Sequence, residues 1–147
     1  MKRKQIEIAA LALLVLVAGG CALFTSHFDA MRQQNFTNLQ ALHEKFIEDY
    51  TEGSGKEWSE ETVKRVCDTG DLRFREALTY AAAKDDKAKT GERAVRNLYD
   101  QFTADCKFAL KRNKLFGTAW SEEHLKELRL NYRYAVSGEL SRVGAPQ

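Results

Sequence analysis

The chain has a single proline, Pro146, one residue from its end. Proline stops helices because it lacks the backbone N–H and crowds the preceding turn. A chain without it until position 146 can keep helices running across almost its whole length. The apolar residues then set the type of element. Alternating runs of β-branched residues are scarce, and spacings of three and four dominate, the signature of amphipathic helices. The expected fold is all-α: an antiparallel bundle of about four helices, with the second helix kinked or broken near 68–71.

The first helix is expected from about residue 27 to 51. Its stripe is Phe28, Met31, Asn35, Leu39, Leu42, Phe46 and Tyr50, and the glycines of Glu52-Gly53-Ser54-Gly55 end it. Ser59 then has the features of an N-cap. Glu60 and Glu61 suit the positive helix end, and Trp58 and Val63 stand at the two positions of a hydrophobic staple. This helix meets Asp68-Thr69-Gly70-Asp71, where a break or kink is expected, and continues through Leu72, Phe74, Ala77, Leu78 and Ala81 to about 87. Thr90-Gly91 reads as the next turn. The third helix carries Val95, Leu98, Tyr99, Phe102, Cys106, Ala109 and Leu110, and ends near Lys114. Lys107, Lys111, Arg112 and Lys114 crowd its last turns, which suits the negative helix end. Ser121 reads as the cap of a fourth helix, with Trp120 and Leu125 as a second staple. Its apolar face is Leu125, Leu128, Tyr132, Ala135, Val136 and Leu140. The segments Trp58–Val66 and Trp120–Leu128 share a Trp-Ser-Glu-Glu start. They are either a duplication or two caps that converged on serine followed by acids.

Residues 1–26 follow a different logic. Lys2, Arg3 and Lys4 precede an apolar run from Ile6 to Val17, then Ala18-Gly19-Gly20-Cys21. A basic start, an apolar core and small residues form an export signal. With cysteine after the small residues, this segment resembles the signal and lipobox of bacterial lipoproteins over about the first 21 residues. Ala18 stands where that family usually has leucine. The resemblance implies that residues 1–20 are removed, that Cys21 is acylated and becomes the new N-terminus, and that residues 21–26 are a tether. It also implies a lipid-anchored protein facing the periplasm, with Ala22 after the cysteine favouring the outer membrane. Two alternatives remain. Ile8 to Phe24 is about 17 residues, the lower limit for an uncleaved single span, and an ordinary cleaved signal would use the same features. The remainder divides into one helical domain, 27–143, and a tail, 144–147.

With Cys21 acylated, Cys67 and Cys106 are an even pair in an oxidising compartment, where a disulfide is the natural expectation. It would close a loop of about 39 residues and contribute roughly 4 kcal/mol in a chain-entropy account. Two buried free thiols or a metal site are the other readings. Cys67 lies early in the second helix and Cys106 late in the third, so antiparallel neighbours put them at the same end.

Little in the domain points to catalysis or a cofactor. Gly53-Ser54-Gly55-Lys56 superficially resembles a phosphate loop. However, Tyr50 replaces the first glycine, Glu57 the serine or threonine, and no strand precedes it. His27, His43 and His124 show no metal-ligand spacing, and no haem attachment motif is present. His43-Glu44 reads as an exposed helix side. Haem ligation by Met31 and a histidine is disfavoured, because His124 should lie at the opposite end from Met31. Asp85-Asp86 and Glu122-Glu123 fall at turns or helix starts. The 23 basic and 21 acidic residues leave a mature chain near neutrality, which does not suit nucleic acid.

The expectation is therefore a non-catalytic, membrane-tethered module that binds another envelope protein through a helical surface. No catalytic, metal-binding or cofactor-binding residue is expected. The alternative is a bundle that binds a small molecule or senses stress. Its pocket would be lined by aromatic residues such as Phe28, Phe46, Tyr50, Phe74, Tyr80, Tyr99, Phe102, Tyr132 and Tyr134.

Overall fold

The computed structural model describes residues 29–84 and 89–141, with side chains to 138. The expected signal, Cys21 and its tether, His27, Phe28, Asp85, Asp86 and the 144–147 tail lie outside them. Among the described residues there are four helices and no strand: α1 Ala30–Asp49, α2 Glu60–Lys84, α3 Thr90–Arg112 and α4 Thr118–Ser141. Each packs on its neighbours in sequence, and α4 closes the ring on α1.

The run is up-down-up-down. Asp29 caps α1 by accepting from the Arg32 N–H at 3.1 Å, and it also accepts from the Tyr80 hydroxyl late in α2. At the other pole the linkers 50–59 and 113–117 meet. Phe116 N–H donates to the Tyr50 carbonyl at 2.7 Å, and Glu52 N–H to the Phe116 carbonyl at 2.9 Å. Gly53 and Gly55 have φ of 88° and 79°, a region open to glycine at little cost. The α3 end at Asn113 has φ 55°, which asparagine tolerates at a helix C-terminus.

Phe36, Phe46, Phe74, Phe102, Phe116 and Tyr132 are fully buried. Phe74 stacks on Tyr99 at 5.4 Å and on Phe102 at 5.2 Å. The sulfurs of Cys67 and Cys106 are bonded across α2 and α3, with the Cα atoms 5.9 Å apart.

Several details differ from the sequence expectation. α2 runs unbroken through 68–71. Gly70 is buried there because the Phe102 ring occupies the space a Cβ would fill; the glycine serves packing rather than a turn. Thr90 and Gly91 lie inside the first turn of α3. Ser59 does precede α2, with its Oγ 3.4 Å from the Thr62 N–H. Ser121 does not cap α4, which starts at Thr118. It is buried and shares a 2.7 Å hydrogen bond with Thr51 Oγ1. Trp120 is thus inside a helix, and the two Trp-Ser-Glu-Glu segments occupy different structural positions. The buried stripe of α1 is Arg32, Phe36, Leu39, His43, Phe46 and Ile47, while Met31 is 55% exposed.

Candidate functional site

The buried stripes of α1 and α3 each carry an ionisable residue, His43 and Asp105. His124, early in α4, is the third member. His43 Nε2 and His124 Nε2 each lie 2.8 Å from the same carboxylate oxygen, Asp105 Oδ2. A carboxylate only accepts, so the Nε2 atom of each ring carries the proton and donates. That leaves Nδ1 of His43 as an acceptor, and the Tyr132 hydroxyl of α4 faces it at 3.4 Å, a long contact. One carboxylate therefore joins α1, α3 and α4 in the bundle interior.

The environment separates the two histidines. His43 is 0% exposed, and burial holds its pKa below the ordinary 6.5, outweighing the hydrogen bond and charge of Asp105. The hydrogen bond that His124 donates to Asp105 raises it above 6.5 despite its partial burial. Burial pushes Asp105 up, but the hydrogen bonds and charges of His124 and His43 together hold it below its ordinary value. Burial pushes the Tyr132 phenol up. Trp120 lies flat on His124, ring centres 4.5 Å apart, where an imidazolium gains from the ring face.

The arrangement can hold and redistribute a proton. His43 and Tyr132 are closed off from solvent, so His124 is the member that reaches the surface. Among the described residues, no group of three His, Cys, Asp or Glu is arranged to hold a metal ion. Both imidazoles point at one oxygen at hydrogen-bond distance.

The sequence reading placed His43 on an exposed helix side, and the structure puts it in the core. For His124 it gave only the lack of metal-ligand spacing and a place at the opposite end from Met31. What it missed is a pattern: residues 32, 36, 39, 43 and 46 of α1, continued by Tyr50 after its end, recur at alternating fours and threes. His43 sits on that seam, and Asp105 sits on the matching seam of α3 with 98, 102 and 109. The other candidates fall apart in space. In the Gly53–Lys56 linker, Ser54 Oγ donates to the Asp49 carbonyl. Glu122 and Glu123 are exposed, and Glu123 pairs with Lys126. Met31 is at the Asp29 pole, away from His124.

No protein-family model matches this sequence, and no curated protein or solved structure is significantly similar to it. Among the described residues, no helix is long and apolar enough to cross a membrane.

Proposed function

We propose that the chain is a membrane-tethered envelope lipoprotein whose bundle binds another envelope protein and catalyses nothing. Acylation of Cys21 would hold it to the membrane, since buried acyl methylenes contribute about 0.8 kcal/mol each and more than one chain gives stable attachment. An oxidising compartment is consistent with the bonded sulfurs of Cys67 and Cys106.

The observation that carries the scaffold reading is the filled interior. Aromatic rings that could have lined a ligand pocket pack on each other instead: Phe74 on Tyr99 and Phe102, Phe46 on Phe102 and Phe116. A rigid body with its aromatic groups used internally suits presentation of a surface.

Intact mass of the detergent-extracted protein, wild type beside Cys21→Ser, tests the tether. The expected result is loss of the first 20 residues and an acyl mass that disappears with the substitution. An unprocessed mass, unchanged by Cys21→Ser, contradicts it.

A second reading, stress sensing, is favoured by the buried His43–Asp105 pair, which acid would force to change charge. It predicts that partner binding changes between pH 7 and 5, and binding that is flat over that range counts against it.

A further inference from the structure

The end of α3 carries cations with no carboxylate partner among the described residues. Asp29 and Tyr80 mark the pole at which the chain arrives from Cys21. With α1 20 residues long, the opposite pole lies about 30 Å away. At that far pole Phe108 is 36% exposed. It stacks on Phe116 at 5.8 Å and leans on Trp120 at 5.2 Å, and Trp120 in turn covers His124.

Arg112 lies over the Phe108 ring, Lys107 and Lys111 are within one helical turn of Phe108, and Lys114 follows the end of α3. Elsewhere cations usually have a carboxylate: Lys64 with Glu60, Arg73 with Glu76, Arg96 with Glu92, Arg129 with Glu44. Among the described residues these four have none. The Arg112 guanidinium sits 5.8 Å over the Phe108 ring, and its Nε is buried without a hydrogen-bond partner. The helix dipole accounts for positive charge at the end of α3. It does not account for a phenylalanine left about one-third exposed among those cations. Glu123, in the second turn of α4, lies beside Trp120, and Lys126 engages it.

We infer that the far pole docks an acidic segment of a partner protein. Its carboxylates meet Lys107, Lys111, Lys114 and the guanidinium of Arg112, and an apolar side chain rests on Phe108 and Trp120. The inference deepens the partner-binding reading and rests on it. The pole faces away from the membrane that Cys21 would enter, which favours a protein over anionic lipid.

Photo-crosslinking in cells that make the full-length chain tests this. Benzoylphenylalanine replaces Phe108 or, in a second variant, the exposed Lys111, with control positions at Leu72 and Tyr134. Adducts are sequenced by mass spectrometry. The expected result is an acidic protein segment attached at 108 and 111. Its yield should fall about tenfold with Lys107→Glu and Lys114→Glu together, a factor in keeping with charge-assisted docking, and hold with Lys84→Glu. A neutral or basic segment, a lipid, a second copy of this chain, or a yield that ignores charge reversal overturns it. Protein adducts at Leu72 or Tyr134 alone overturn the docking site and leave the partner-binding reading standing. No protein adduct at any position overturns both.

Discussion

The α2–α3 seam and the α1–α4 seam hold the same bundle by different means. Between α2 and α3 the buried contacts are covalent and apolar: the Cys67–Cys106 bond, the Phe74 stack on Tyr99 and Phe102, and Gly70 under the Phe102 ring. Between α1 and α4 they include a polar set. Tyr132 faces His43, Ser121 meets Thr51, and both histidines converge on Asp105 of α3. One seam should fail on reduction and the other on a change of pH. A small domain that joins its first and last helices through a proton network makes its closure sensitive to the medium.

The largest expected loss comes from the polar seam. Asp105→Ala leaves the buried His43 N–H and the partly buried His124 N–H without an acceptor and should cost about 3–5 kcal/mol, in line with breaking a buried pair. Urea unfolding of the full chain in detergent measures it, and a loss below about 1 kcal/mol would mean the cluster is ornamental. Next is the covalent seam. Cys67→Ser with Cys106→Ser should cost about 2–4 kcal/mol, a loss the wild type should match on reduction. Gly70→Ala should follow at about 1–3 kcal/mol, because its Cβ overlaps the Phe102 ring and overpacking outweighs the better helix propensity. A stabilised variant would show that Phe102 moves freely.

The pH profile sharpens the contrast. His124 is raised above 6.5, so its contribution is fully present below 6.5 and is lost as pH rises through its folded value. His43 is lowered, so folding weakens as pH falls below 6.5, where the unfolded imidazole takes a proton that the buried one resists. Asp105 is lowered too, and its contribution is lost at still lower pH. Stability should therefore peak near pH 6.5, and Asp105→Ala should flatten the alkaline side. The smallest effect is Arg129→Ala, which removes exposed pairs with Glu44 and Glu48 and should cost no more than about 1 kcal/mol.

The four helices and the 50–59 linker were legible because apolar spacing and glycines mark them directly. Ser59 was legible as the residue before α2 because acids and Trp58 frame it. The same signs misled at Ser121, where a serine followed by glutamates lies inside a helix and buries its hydroxyl against Thr51. The polar cluster was hidden by the rule that finds helix faces. Starting the α1 stripe from Phe28 and Met31 shifted it onto Met31 and Asn35. The real seam includes Arg32 and His43, whose burial depends on partners 62 residues away in the case of His43 and Asp105. Gly70 looked like a break because its reason, the Phe102 ring, sits on another helix.

The most direct test of the shared proton network is an NMR titration of the full chain with labelled histidine, His27→Gln simplifying the assignment. The account predicts that at pH 6.5 His43 is neutral with its proton on Nε2, titrating only at lower pH. His124 should be largely charged at that pH and titrate above it. Two histidines titrating together near 6.5, or His43 carrying its proton on Nδ1, would contradict it.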